Sequence, residues 1–384
     1  MDEILNRFYE VAADPYKSVE GWKRKTGKKV IGVFPMWIPE EIIHAADILP
    51  AVIWRGNEPV TEGHAHLPPF NCGLTRSFVD DAVRGKLDFM DGMVFYRMCL
   101  QAVVLRFIIE RHAQPQPTYL EHLYLPPVFD RSPCLKEFLI EELETLQRGV
   151  EGLSGKEVTV DSLNRSIKIY NENRGLLRRL YQLRRAKPGL LKARDILVMV
   201  HSSMLMPKEE HSELLKGILG DLEKKEPPTL VKGAKRVIVS GCLCQTPSLD
   251  LLGLIEDSGM AIIDDDLYIG SRYFAIDTDV NGNPIEALAD RYMKDEPVCP
   301  TKGEWQKNWG DYLIDMVKRN NADGVISLLV KYCPPHLCWY PAVREKLAEA
   351  GIPHILIEVE HEVTSLEPVK TRLASFVEIM TGRA

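Results

Sequence analysis

At 384 residues the chain exceeds one ordinary hydrophobic core, so two or three domains are expected. Its 45% hydrophobic and 27% charged residues are ordinary for a soluble globular protein, and the net charge of −7 argues against nucleic acid as a main partner, since neutralising phosphates needs a basic surface. No apolar run approaches the roughly 20 residues that span a bilayer, and the N-terminal MDEILNRFYE is acidic and amphipathic without a secretory pattern, so a cytoplasmic protein with no membrane partner is expected.

Residues 1–27 read as one amphipathic helix with a lead-in, 28–35 (KKVIGVFP) as a strand, 40–49 as a helix with an apolar face and 51–54 as a short strand. Asn71-Cys72-Gly73 opens a helix over 74–84. The segment 91–96 (DGMVFY) is the next strand, and Arg97-Met98-Cys99 opens a helix over 100–111. Alternating strands and helices predict a parallel sheet covered on both faces. From 133 to 225 the pattern turns helical and charged, with apolar residues at three- and four-residue spacing over 138–150, 160–183 and 211–225. Glu226-Pro227-Pro228 marks a boundary. Strands follow at 236–240, 261–264, 324–330 and 354–359, with helices at 249–258, 305–320 and 340–350. The fold class predicted is α/β, two Rossmann-like parallel-sheet domains (1–132 and 226–384) with a helical lobe (133–225) between them.

Of the eight cysteines (72, 99, 134, 242, 244, 299, 333 and 338), several recur at one kind of place. Cys99, Cys242, Cys244 and Cys333 each follow a predicted strand within a few residues, and Cys72 precedes a helix. In open α/β sheets, ligands sit at the carboxyl ends of the strands. Two such edges facing each other bring Cys72, Cys99 and Cys333 into one cleft. Thiolates at helix N-termini have lowered pKa values and bind soft metals, and three cysteines with an open position suit an iron–sulfur cluster. The competing reading is that cysteines are small buried hydrophobes, as expected for Cys134 and Cys299; spacing alone leaves both readings open. No CxxC pair of pairs supports zinc. Cys242-x-Cys244 either adds ligands or is a tight turn. In the central stretch KYCPPHLCW, His336 is a candidate catalytic proton donor, or else a cap of the next helix. Asp264-Asp265-Asp266 either attracts Mg²⁺ or is a solvated strand end. Arg174, Arg178, Arg179, Arg184 and Arg185 form a basic helix face that is solvated or meets coenzyme A phosphates or a partner subunit. There is no G-x-G-x-x-G and no Walker A loop, so the sequence does not support nicotinamide or nucleotide triphosphate binding on this chain.

Taken in order, Pro69-Phe70-Asn71-Cys72, the strand and loop 91–99, Tyr170-Asn171-Glu172-Asn173-Arg174, the segment 236–274 with Gly270-Ser271-Arg272, and Lys331-Tyr332-Cys333 resemble one family: the 2-hydroxyacyl-CoA dehydratases and ATP-dependent (class I) benzoyl-CoA reductases. The resemblance covers most of the chain. It implies a [4Fe-4S] cluster held by Cys72, Cys99 and Cys333, a second homologous cluster-binding subunit, an ATP-hydrolysing iron–sulfur activator with ferredoxin upstream, and an aromatic acyl-CoA substrate. Dehydratases usually follow the second cysteine with Asp-Ser, where this chain has Leu100-Gln101. That departure, with Cys242, Cys244 and Cys338, is more similar to the smaller cluster-binding subunit of benzoyl-CoA reductase, and it leaves room for more than one cubane. The expected activity is that of an oxidoreductase that reduces the ring of benzoyl-CoA to a cyclic dienoyl-CoA by low-potential single electrons. The alternatives are a 2-hydroxyacyl-CoA dehydratase subunit and a non-catalytic, double-cubane-like electron carrier. The apolar run Leu100, Ala102, Val103, Val104 and Leu105 is either a wall for a ring or the buried face of its helix.

Overall fold

Two four-stranded parallel sheets carry the chain. This computed structural model describes residues 2–34, 37–54, 58–97, 99–112, 117–126, 132–227, 233–242, 248–294, 297–302, 308–360 and 365–382. The first sheet holds β1 (Val30–Phe34), β2 (Leu49–Val52), β3 (Gly92–Tyr96) and β4 (Tyr119–Leu123) in the order β2-β1-β3-β4. The second holds β5 (Lys235–Gly241), β6 (Met260–Asp266), β7 (Gly324–Val330) and β8 (His354–Val359) in the order β6-β5-β7-β8. All six pairings are parallel. The two sheets share one order, and both are of the Rossmann-like kind the sequence predicts. In each, the order reverses between the first and third strands, which opens a crevice at their carboxyl ends. β1, β3 and β7 are buried along their whole length and, Ser327 apart, carry no side chain more polar than the Tyr96 hydroxyl, as strands covered on both faces must be.

The N-terminal segment is two helices, Asp2–Ala13 and Pro15–Thr26, rather than one. Pro15 has no N–H to donate and so starts the second, while the Asp14 side chain accepts from Lys17 N at 3.1 Å. The helix predicted over 340–350 begins earlier, at Pro334 (Pro334–Glu349), because prolines in a first turn forgo no hydrogen bond. The helices Pro133–Ser154, Val160–Ala186, Ala193–Ser203 and Lys208–Glu223 fill the middle of the chain. Val160–Ala186 packs on the helix Glu40–Ala45 of the first half and on β6 of the second. None of the described helices is long and apolar enough to cross a membrane.

The acidic run at the end of β6 is not a solvated strand end. All three side chains are buried, and each meets a cation. Asp264 pairs with Arg185 at 3.1 Å, Asp265 with Arg184 at 2.7 Å and Asp266 with Arg272 at 2.6 Å. Nor are the five arginines a bare basic face. Beyond Arg184 and Arg185, Arg174 pairs with the buried Glu41, Arg178 with Asp277 at 2.5 Å and Arg179 with Glu223 at 2.5 Å. Charges that read as an exposed stripe in the sequence join this long helix to both halves of the chain.

Candidate metal centre

Three cysteines stand at helix N-caps on facing sheet edges. Cys72 precedes the helix Gly73–Val83, Cys99 precedes Leu100–Val103 just beyond β3, and Cys333 precedes Pro334–Glu349 just beyond β7. None of the three sulfurs makes a capping bond to its helix. They line one cavity together with Cys242, which follows β5, and apolar walls from Phe34, Leu74, Ala102 and Val330. The cleft predicted for Cys72, Cys99 and Cys333 is therefore present, and a fourth thiol stands in it.

Cys242 is fully buried, and its sulfur accepts the backbone N–H of Val330 at 3.0 Å. Its sulfur, that of Cys333 and a ring nitrogen of His336 all lie within 4.8 Å of one another. Cys299 is buried behind the cavity, 2.9 Å from the hydroxyls of both Tyr268 and Thr301. Cys134 and Cys338 are exposed, and Cys244 lies outside the described residues.

The thiols are not acidified. Burial pushes Cys72 up and raises Cys99 to about 12, while Cys333 is held well above the usual range by its hydrogen bond with Cys242 and by burial. The lowering expected from helix N-termini is outweighed by loss of water, and at Cys99 the helix is only four residues long. Cys72, Cys99 and Cys333 are thus neutral thiols. A soft cation that displaces the protons would supply the charge that the apolar walls do not.

Gln101 organises the three loops, and sequence reasoning missed it. Its side-chain oxygen accepts the N–H of Cys72 at 2.8 Å, and its amide nitrogen donates to the carbonyls of Phe70 at 3.1 Å and Tyr332 at 2.9 Å. Its one signal in the sequence is its position two residues beyond Cys99, where the dehydratase pattern has a small hydroxyl residue. Tyr332 sits at φ 60°, an unfavourable conformation for an aromatic residue, immediately before Cys333.

His336 is fully buried within the first turn of its helix rather than capping it from outside. Burial, and then the Arg272 guanidinium, push its pKa well below the ordinary value, so the ring is neutral. Arg272 Nη1 lies 3.5 Å from Nε2 and can only donate. The ring proton therefore sits on Nδ1, 3.5 Å from the sulfur of Cys333. Arg272 in turn grips Asp266 through two bonds of 2.6 and 2.8 Å.

The apolar run after Cys99 divides. Ala102 lines the cavity and Leu105 is core, but Leu100 is 80% exposed and Val104 40% exposed. It is not a continuous wall, because a short helix at the sheet edge turns only one face inward.

Comparison with known proteins agrees with this architecture. Residues 35–380 match the family model of the 2-hydroxyglutaryl-CoA dehydratase D-component. The chain is 28% identical to the beta subunit of (R)-phenyllactyl-CoA dehydratase of Clostridium sporogenes, over 99% of each chain. It is 30% identical to one of the benzoyl-CoA reductase subunits of Thauera aromatica, over 94% of each, and 29% identical to the beta subunit of lactoyl-CoA dehydratase of Anaerotignum propionicum, over 99% of each. Two parallel sheets, a thiol-lined cavity where their edges meet and a match along nearly the whole length agree: the chain belongs to the 2-hydroxyglutaryl-CoA dehydratase D-component family, which takes in subunits of 2-hydroxyacyl-CoA dehydratases and of benzoyl-CoA reductase.

Proposed function

We propose that this chain is the smaller iron–sulfur subunit of an ATP-dependent benzoyl-CoA reductase, with Cys72, Cys99 and Cys333 holding a [4Fe-4S] cluster. The observation that carries the reading is the thiol-lined cavity between two sheet edges, in a chain matched nearly end to end by a benzoyl-CoA reductase subunit. The donor set fits the group. Sulfur ligands in an apolar pocket select soft metal centres, and burial keeps the thiols neutral until a cation replaces their protons. A bound cluster supplies single electrons at low potential. The chain's own residues fix the cysteine loops through Gln101, offer the Nδ1–H of His336 to the Cys333 sulfur and exclude water with Phe34, Leu74, Ala102 and Val330. His336 serves the site as this donor rather than as an acid, since burial and the Arg272 charge disfavour the imidazolium that would give up a proton. The complex includes a second homologous cluster-binding subunit, an ATP-hydrolysing iron–sulfur activator and ferredoxin as upstream donor.

Where substrate reaches the centre of this chain, the segment after Cys99 favours ring reduction over dehydration. Loss of a hydroxyl as water needs a polar group to protonate it. Here Leu100 points to solvent and the amide of Gln101 is spent on backbone groups. A second reading, a 2-hydroxyacyl-CoA dehydratase subunit, is favoured by the family model and by the phenyllactyl- and lactoyl-CoA relatives. The test offers benzoyl-CoA and a 2-hydroxyacyl-CoA side by side to the complex with ATP, activator and a strong reductant. Formation of a cyclic dienoyl-CoA supports the reductase. Dehydration alone selects the second reading, and inactivity on both points to a subunit that only carries electrons.

A further inference from the structure

We propose that Cys242 is the fourth thiolate of the centre, so that the cluster of this chain is closed and relays electrons rather than binding substrate. The proposal rests on the iron–sulfur reading above and goes beyond its three ligands.

The backbone is built to deliver this thiol. β5 and β7 are neighbours at the point where the strand order reverses, and Cys242 and Cys333 leave their two carboxyl ends. Gly241 has φ 141°, and a Cβ there would lie 2.0 Å from the carbonyl oxygen of Leu328. Only glycine lets the chain press so closely on β7. The next residue is then held from both sides: Cys242 N donates to Leu328 O at 3.2 Å, and Val330 N donates to the Cys242 sulfur at 3.0 Å.

The Val330 N–H fixes where this sulfur sits. A cysteine kept only for its bulk needs no such donor. The sulfur faces the same cavity as Cys72, Cys99 and Cys333, within 4.8 Å of Cys333. The other described cysteines do not compete. Cys299 is buried but does not line the cavity, and Cys134 and Cys338 are exposed.

On metal binding the Cys242 S–H bond breaks, an S–Fe bond forms and the proton leaves to solvent. No electron changes hands. With every iron held by a protein sulfur, no coordination position remains for a substrate oxygen. A closed cluster here would pass single electrons onward rather than hold a substrate oxygen.

The test uses the full chain purified anaerobically, as wild type, Cys242→Ser, Cys242→Ala and the exposed control Cys338→Ser. Iron and sulfide are counted before and after ferricyanide oxidation, electron paramagnetic resonance is recorded, and cyanide is titrated against the visible spectrum. An iron without a thiolate is lost on oxidation and binds cyanide. The wild type and Cys338→Ser should keep their iron and ignore cyanide, whereas Cys242→Ala should lose about one iron in four, show a three-iron signal and take up cyanide. If the wild type loses iron or binds cyanide, the Cys242 assignment is overturned while the cluster reading stands. If the Cys242 variants do not fold, the wild-type measurements decide alone. Zinc without sulfide, or no metal, in the wild type overturns the cluster reading and this assignment together.

Discussion

The side-chain oxygen of Gln101 accepts the backbone N–H of Cys72 at 2.8 Å. The same amide reaches across to the carbonyl of Tyr332, 2.9 Å away and next to Cys333. One side chain beside Cys99 therefore joins the loops of all three N-cap cysteines, and it links the edge of the first sheet to that of the second. Neither sheet alone sets the spacing of the thiols.

Gln101→Ala should leave a buried N–H and two carbonyls without their partner. Each lost bond costs about 1 kcal/mol, so a loss of roughly 2–3 kcal/mol is expected in urea unfolding of the metal-free chain. The variant should also release iron faster under a chelator. Gln101→Glu keeps the acceptor for Cys72 but sets an oxygen against the Phe70 and Tyr332 carbonyls, and should be at least as damaging. Stability and iron retention equal to wild type in both would show that the tie is incidental.

Cys72→Ser, Cys99→Ser and Cys333→Ser should each lose or destabilise the cluster, because a serine oxygen is a harder and poorer ligand than sulfur. Cys134→Ser, on an exposed position, should not. Iron analysis and the visible spectrum after anaerobic purification decide it. Full iron content in Cys333→Ser would remove the central loop from the site.

How much of this is legible in the chain follows from what each signal depends on. β7 and β8 are legible with the bounds they have, because long apolar runs carry the strand signal themselves. The facing of Cys72, Cys99 and Cys333 follows from their place after strands and before helices. β4 (YLEHL) escapes a reading of the sequence because its three leading residues are only half-buried at a sheet edge, without a sustained apolar run. The helix Ala193–Ser203 escapes it for the opposite reason: it is buried along most of its length and shows no single apolar stripe. Gln101 and Arg272 act through distant partners, and a linear sequence does not show which carbonyl or carboxylate they reach. The thiol pKa values run opposite to the expectation from helix ends because burial, which outweighs those ends here, is a tertiary quantity.

The Arg272–Asp266 pair behind His336 is fully buried, with both side chains at 0% exposure. Arg272→Met should strand the Asp266 carboxylate, already pushed up by burial, and cost about 3–5 kcal/mol. Asp266 would keep its bonds from Ser240 and Trp309, so the fold should survive in weakened form. By contrast Glu223→Gln, which breaks the more exposed pair with Arg179, should cost less than about 1 kcal/mol. Equal costs for the two variants in denaturant titrations would reject the distinction.

Acid should destabilise the metal-free chain from mildly acidic pH, and His211 gives the reason. The ring is buried between Asn173 and the carbonyl of Met199, and burial followed by the Lys208 charge lowers its pKa from 6.5 to about 3. Above 6.5 neither folded nor unfolded chain protonates it. Between 6.5 and about 3 only the unfolded chain takes the proton, so stability present above 6.5 is lost as the pH falls. The slope approaches roughly 1.4 kcal/mol per pH unit. Glu41 adds to the loss at lower pH. Burial raises its pKa, but Arg174 and Arg291 hold it below the usual carboxylate range, so its contribution is present above the unfolded value and lost below it. Urea unfolding between pH 7 and pH 5 should show the decline, and His211→Asn should flatten it. An unchanged slope in the variant would assign the decline to other groups.

The metal content should be about four iron and four sulfide per chain, the content of one cubane. The cavity brings together Cys72, Cys99, Cys242 and Cys333, which is one set of sulfur donors. A second cubane would need further thiols close by. Cys338 is exposed on the helix that Cys333 starts, Cys134 is exposed at the start of the helix Pro133–Ser154, and Cys299 is engaged by Tyr268 and Thr301 behind the cavity. Among the described residues no second cluster of metal-ligating side chains lies near enough together to hold an ion. About eight iron per chain would instead implicate Cys338 or Cys244, the latter outside the described residues, and would favour the double-cubane electron carrier. Zinc without sulfide would instead point to the tighter group of Cys242, Cys333 and His336, whose ligand atoms already lie within 4.8 Å of one another, as a mononuclear site.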